Sequence, residues 1–241
     1  MPLSELDFST RADVTELMDE PCSPEELRAC LRDIARLNRW FMAYRPTLCW
    51  LVSLDLQKFA TPTHILDVGC GYGDTLRQIE KWASTRQIRV KLTGCDLNPD
   101  AVAIAAEASS NKSRIEWVAA DVFQYQSGEP IDIIVSSLFT HHLAEWDIVQ
   151  FIRWMEEHAR VGWFINDLSR AAVPYHLLNA FSKVAGLHRF VQNDGPVSIK
   201  RAFVPADWLR ICARAGLREN EINIETFIPA RLCVGRKMQR Q

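Results

Sequence analysis

The sequence predicts an α/β fold: a mostly parallel, seven-stranded sheet flanked by helices, with a helical appendage ahead of it. Three observations carry this. From Thr63 onward, short runs of β-branched and aliphatic residues alternate with stretches whose apolar residues recur at helical spacing. The economical reading of such alternation is a parallel sheet with right-handed crossovers. A glycine-rich turn, Gly69-Cys70-Gly71-Tyr72-Gly73, follows the first run, and acids close the next two. Near the end of the sequence, Ile222, Ile224, Thr226 and Ile228 alternate strictly and are followed by residues 231–235, which reads as an antiparallel pair at the end of the sheet.

The elements follow in order. Ser23 can cap a helix that has Pro24 at its first position and Glu26 completing a capping box. Leu27, Cys30, Leu31, Ile34 and Leu37 give that helix one apolar face. A second helix is expected over residues 46–59. Both precede the first strand and are assigned to an appendage, residues 1–60, ahead of a main domain at 61–241. Strands are expected at 64–68, 90–95, 115–119, 131–136 and 161–166. Between them, Leu76, Ile79 and Ala83 mark one helix, Asn98-Pro99 opens another, and Ile148, Ile152, Met155 and Ala159 stripe a third. Residues 171–186 look helical, with Leu177, Phe181 and Val184 inward and Gly186 as the C-terminal cap. A polar loop over 192–201 follows, with Asp194-Gly195 as its turn, then a helix from Pro205 to Gly216.

Composition narrows the function. Charged residues are 24% and hydrophobic ones 48% of the 241, and the net charge is -2. A duplex-binding domain needs a surplus of Lys and Arg to neutralise phosphates, and none exists here. The one basic cluster, Arg236, Lys237 and Arg240, reads as a frayed terminus. Seven cysteines without a CxxC pair or a Cys/His ladder argue for reduced thiols in a cytoplasmic protein, with no metal site expected. No run of about 18 apolar residues is present to span a membrane, and the first residues are acidic with no apolar signal region.

The chemistry sits at successive strand ends. The first run ends in Asp67-Val68-Gly69-Cys70-Gly71-Tyr72-Gly73, where glycine lets backbone approach a ligand and the next helix offers free N–H groups. A tight strand-to-helix turn alone has the same composition. Asp96, followed by Leu97, ends the second run, where an acid can accept both hydroxyls of a ribose; Asp is also common just before a helix. Asp121, followed by Val122, ends the third, within reach of an adenine edge. The glycine spacing is GxGxG with an acid before it, not the GxGxxG of dinucleotide sites, and Asp67 suits a cationic ligand.

The segments DVGCGYGD, GCDLNPDAV and AADVF together resemble the successive cofactor motifs of class I, Rossmann-like, S-adenosylmethionine-dependent methyltransferases. The resemblance implies that Asp67, Gly69, Cys70, Gly71 and Gly73 meet the methionine part of S-adenosylmethionine, Asp96 and Leu97 the ribose, and Asp121 and Val122 the adenine, with Ser137 nearby. S-adenosylhomocysteine is the product that follows. The fourth strand runs into Ser137-Leu138-Phe139-Thr140-His141-His142, which resembles the loop of small-molecule methyltransferases where a His pair lies by the transferred methyl. It implies His142, or else His141, as a base for an acceptor hydroxyl; capping and packing are the structural alternatives. Phe139, Asn166 and Arg170, from a strand end Asn166-Asp167-Leu168-Ser169-Arg170, and Trp40 and Arg45, from an aromatic and basic stretch suited to a lid, are candidates for the acceptor pocket. Arg201-Ala202-Phe203 adds to a weaker likeness to bacterial enzymes of phenolic and polyketide metabolites. The expected activity is O-methylation of a phenolic or enolic hydroxyl on a small, largely apolar acceptor. The alternatives are C- or N-methylation, for example of a quinone precursor, then a protein or nucleic-acid methyltransferase, or a binder without turnover.

Overall fold

The computed structural model describes residues 7–238. Seven strands form one sheet in the order β3-β2-β1-β4-β5-β7-β6: β1 (Thr63–Val68), β2 (Val90–Asp96), β3 (Glu116–Ala119), β4 (Ile131–Ser137), β5 (Ala159–Leu168), β6 (Asn223–Phe227) and β7 (Arg231–Lys237). The first five run parallel, and β7 enters antiparallel between β5 and β6. Chain order reverses between β1 and β4, so their carboxyl ends open the crevice where ligands bind in such sheets.

Side-chain alternation splits the core in two. Leu66, Ile134 and Trp163 face one apolar cluster, with α5 (Glu145–His158) and α8 (Pro205–Ala215) packed on it. Ile65, Ile133 and Phe164 face the other, with α3 (Asp74–Thr85). Consecutive residues serving opposite faces are what a sheet covered on both sides requires. The remaining parallel crossover is α4 (Pro99–Glu107), where the Asn98 Oδ1 accepts from the amides of Asp100 (2.9 Å) and Ala101 (3.4 Å). The first helix, α1 (Pro24–Trp40), starts where Ser23 Oγ accepts from Glu26 N at 3.2 Å.

Four expectations need correction. The helix expected over 46–59 is α2 (Arg45–Val52), broken where Asp55 takes a left-handed backbone (φ 53°) before a short 3₁₀ turn. It belongs to the sheet layer: Trp50 stacks on Phe164 of β5 at 5.2 Å between ring centroids, and Leu51 is buried in the same cluster. The polar loop over 192–201 is helical, part of α7 (Arg189–Arg201), with Pro196 inside it. Asp-Gly-Pro favours a turn locally, but the Asp194 carboxylate is buried and accepts the amides of Leu17 (2.9 Å) and Met18 (3.0 Å), and that tertiary demand prevails. In α6 (Ala172–Val184), Val184 is exposed rather than inward, and Leu177 and Phe181 stay accessible while lining a cavity instead of entering the core, because α6 packs on α7 and not on the sheet. Arg236 and Lys237 are strand residues, Arg236 pairing with Glu156 and Glu221; Arg240 lies outside the described residues. Among the described residues no helix is long and apolar enough to cross a membrane.

Arg170 and Asn166, expected at the acceptor pocket, are framework. Arg170 is buried and donates to the carbonyls of Phe8 (2.9 Å), Ser9 (3.2 Å) and Ala202 (2.6 Å) and to Asp207 (2.9 Å). Asn166 donates to the Ala43 carbonyl (2.8 Å) and Thr47 (3.0 Å), tying β5 to α2. Arg170→Ala takes a buried donor from three carbonyls and leaves Asp207 with only Arg210 and the Val204 amide, so it should lower unfolding free energy in urea by about 3 kcal/mol. A variant as stable as the wild type would return Arg170 to the list of ligand contacts.

Candidate active site

At the carboxyl ends of β1, β2 and β4 lies a cavity of about 620 Å³. Strand ends form its floor. Residues of α1, α6 and α7, with the segment around Glu16, form its roof.

The floor begins at the glycine turn. Gly69, Gly71 and Gly73 all have positive φ (68°, 49° and 71°), which side chains other than glycine rarely accept. A Cβ on Gly69 would stand 2.5 Å from the Phe139 ring, and one on Gly73 2.1 Å from Trp117. Gly71 N–H donates to Asp96 Oδ2 at 2.8 Å, and Asn98 N–H to Asp96 Oδ1 at 3.0 Å, so the acid ending β2 also holds the turn. Asp121 is fixed in a similar way, accepting from Phe123 N at 3.0 Å. Asp67, Gly69, Cys70, Gly71, Asp96, Leu97, Asp121, Val122, Ser137 and Phe139 all line the cavity, as expected. Gly73 lies behind the wall as the N-cap of α3. Trp40 and Arg45 stand outside it.

Two orphaned groups face this floor. Asp67 is buried, its Oδ1 has no partner, and burial, reinforced by Asp74 and Asp96, pushes its carboxyl well above the usual range. Arg231 is buried with Nη1 unpartnered, and burial pulls its guanidinium below its ordinary value. Its Nη2 donates to Asn38 Oδ1 at 2.7 Å, and Asn38 and Tyr44 both donate to Asp74 Oδ2 (3.0 and 2.6 Å). A buried acceptor and a buried cation on one cavity fit the ammonium and carboxylate of an amino-acid ligand. The residues present therefore fit S-adenosylmethionine.

A second polar part of the cavity is built on the 3₁₀ turn Thr140–His142. Asp167, at the end of β5, accepts from Thr140 Oγ1 (2.5 Å), His141 N (3.0 Å) and Leu168 N (2.7 Å), and its Oδ1 meets His141 Nδ1 at 2.7 Å. Burial would raise the carboxyl, but His141 and these donors hold it below the usual range. Beyond the ring, His141 Nε2 is 3.8 Å from Glu16 Oε1. Glu16 is itself buried, which pushes its carboxyl up. His142 is half-buried, 3.1 Å from Asp19 Oδ1 through Nδ1 and 3.9 Å from Glu16 Oε2 through Nε2. The donor atoms of Glu16, His141 and His142 lie within 4.8 Å of one another, a grouping open to a metal. Arg201 Nη1, 3.6 Å from Glu16 Oε1 and 2.8 Å from Asp19 Oδ2, already supplies a cation there.

Sequence reasoning missed Glu16, Asp19, Asn38, Asp74 and Arg231. Asp74 stands inside the quoted motif and was available. The others reach the site only through tertiary packing.

Residues 65–162 match the family model described as a methyltransferase domain. The trans-aconitate 2-methyltransferase of Streptomyces avermitilis is 35% identical over 80 residues, which span 32% of this chain and only 28% of that protein. Among solved structures, the plantazolicin methyltransferase BpumL, in complex with a monoazolic desmethyl analogue and S-adenosylhomocysteine, superposes with a TM-score of 0.63 at 15% identity, over 90% of this chain and 96% of the other. Human N-acetylserotonin methyltransferase gives 0.61 at 13% over 89% and 56%, and a methyltransferase from Aquifex aeolicus 0.60 at 16% over 91% and 100%. At these identities the structural likeness speaks for the fold. The chain therefore has the fold of class I, S-adenosylmethionine-dependent methyltransferases, with the methyltransferase-domain match confined to residues 65–162.

Asp96→Ala should weaken S-adenosylmethionine binding at least tenfold in calorimetry while the protein stays folded, since each hydrogen bond to a charged acceptor contributes about 1.5–3 kcal/mol. Unchanged affinity in the folded variant would remove Asp96 from the cofactor site.

Proposed function

We propose that this chain methylates a phenolic or enolic hydroxyl of a small, largely apolar acceptor, with His141 as the base. The observation that carries the reading is His141 in the cavity wall, oriented by the buried Asp167 carboxylate. The cavity roof is aliphatic and aromatic, with Leu27, Leu31, Ile34, Phe41, Leu177 and Phe181 among its residues, which suits an apolar acceptor. Its volume is in the range that encloses small ligands, roughly 300–1,000 Å³. Two of the proteins of known structure cited above are named for their acceptors, plantazolicin and N-acetylserotonin, and the net charge of -2 gives no support to a nucleic acid.

When bound, S-adenosylmethionine supplies a sulfonium methyl for in-line attack by the acceptor oxygen. The residues of this chain then have three tasks. The floor holds the amino-acid end, and the apolar roof excludes water and orients the acceptor, the chief source of rate for such a transfer. The third task is deprotonation. With Nδ1–H donated to Asp167, the His141 tautomer leaves its Nε2 lone pair for the hydroxyl proton. The imidazolium so formed lies between two carboxylates, Asp167 and Glu16, which stabilise it. A phenol, whose pKa is about 10, needs this help at neutral pH. The family resemblance favours His142 instead, but Asp19, which also accepts from Arg201, engages that ring at the cavity rim.

His141→Ala should lower kcat by roughly 10²–10⁴-fold with cofactor affinity unchanged, and the loss should shrink as pH approaches the acceptor's own pKa. His142→Ala should cost far less. A large, pH-rescued loss in His142→Ala would transfer the role to His142, and mild losses in both would leave proximity as the mechanism.

Asp167→Asn gives a separate test through stability. Its folded pKa lies below the unfolded value, so the ionised carboxylate stabilises the fold above about pH 3.9 and that contribution fades as pH falls through the folded pKa. The variant should melt below the wild type at neutral pH, and the gap should close in strong acid. A gap independent of pH would mean that the charge of Asp167 is not what stabilises the turn.

A further inference from the structure

The roof helix α6 carries its apolar residues the wrong way for a soluble surface. Val173, Leu177, Phe181 and Val184, spaced four, four and three residues apart, form one stripe and are 68%, 61%, 36% and 89% exposed. Ser182 is the one residue of this helix that is buried. The stripe continues onto the end of α1. Phe181 meets Trp40 and Phe41 edge-on, at 5.8 and 5.2 Å between centroids, and Trp40 and the next-turn Met42 are exposed as well. A contiguous apolar surface of this kind marks an interaction site.

Charge identifies the occupant. Arg36, which also pairs with Asp33 at 3.1 Å, lies over the Trp40 ring at 5.4 Å, and Arg39 and Arg45 are exposed on the same stretch. No acidic residue occurs between Asp33 and Asp55, or between Asp167 and Asp194, so both segments that form the patch are free of negative charge over their exposed lengths. Lys183 sits beside Val184, exposed. An apolar stripe with Trp and Phe, bordered by Arg and Lys and lacking acids, is the pattern of a helix lying in the headgroup region of an anionic bilayer. Leu177 and Phe181 belong to the stripe and also line the cavity, so the patch runs into the acceptor side of the site.

We propose that the α6 face and the end of α1 dock on an anionic membrane surface, with the cavity mouth opening toward the lipid. That an apolar acceptor enters from the bilayer rests on the reading of the function above; the docking itself does not. Here the partner is a bilayer surface, and no segment is required to cross it.

The test is co-sedimentation of the full chain with vesicles of three parts phosphatidylcholine to one part phosphatidylglycerol, against phosphatidylcholine alone. Binding should appear with the anionic vesicles and fall with added salt. Val173→Glu with Val184→Glu, at positions outside the cavity lining, should abolish it. Arg36→Gln with Arg39→Gln should weaken it about fivefold for each charge removed. Circular dichroism checks that each variant is folded. No pelleting with anionic vesicles, or pelleting that both double variants leave unchanged, would overturn the proposal. So would sedimentation velocity showing that the glutamate pair converts a dimer to a monomer while vesicle binding persists, since the patch would then serve a second copy of the chain. None of these readouts involves turnover, so a wrong acceptor leaves the docking result standing.

Discussion

The carboxylate of Asp167 is the fixed point on which the His-bearing end of the cavity is assembled. It leaves β5 wholly buried and gathers the Thr140 hydroxyl, two backbone amides and the His141 ring. A lone buried carboxylate would be expelled or protonated. This one stays ionised because its donors converge on it, and their convergence is what shapes the turn 140–142. The turn in turn anchors the roof. Arg201 of α7 donates to the carbonyls of His141 (3.1 Å) and His142 (3.0 Å), and Arg11 donates to those of His141 (3.3 Å) and Leu143 (3.2 Å). Ala12 N–H reaches Lys200 O at 3.0 Å. Segments nearly two hundred residues apart are thus registered to one strand end through carbonyls of three consecutive residues and their neighbour.

Floor and roof answer to different physics. The floor is polar where it meets the amino-acid end: Asp67, Asp74 and Asp96 crowd one another, and Arg231 stands buried against Asn38. Leaving charged groups partly unpaired costs stability in the free protein. The cost is tolerable at a binding site because a ligand with complementary charges removes it, and the binding energy is larger by the same amount. The roof has few such groups. Its cavity face is mostly aliphatic and aromatic, and its charged groups, such as Asp194 and Arg201, are already paired with the N-terminal segment and the His turn.

This division explains how much was legible in the sequence. The floor comes from one contiguous stretch in which each strand end sits a few residues from the next motif. Asp67, Asp96 and Asp121 could therefore be placed at successive strand ends on one cavity by position along the chain. The parallel run of strands with an antiparallel pair at its end followed from the same alternation. The roof has no such order. Asp194 reads locally as a turn residue in Asp-Gly-Pro, and only the amides of Leu17 and Met18, far off in sequence, make it helical and buried. Glu16 lies in a stretch with no periodicity, so nothing before folding distinguishes it from the exposed acids around it. Arg170 and Asn166 illustrate the opposite error. A polar strand end at the ligand side of a sheet suggests contact with ligand, yet both side chains turn to backbone carbonyls of the framework.

The two roof helices that follow β5 are also unequal in a way that bears on access. α7 buries Phe190, Val191, Asp194, Pro196, Ser198 and Ile199, and its Asp194 and Arg201 are bound to the N-terminal segment and the His turn. α6 buries Ser182 and little else, and its main neighbour is α7 itself. Local opening takes place where few apolar contacts and few tertiary hydrogen bonds must be broken. Displacing α6 would therefore break fewer buried contacts than displacing α7 or the His turn, whose geometry is tied to Asp167 and Arg201.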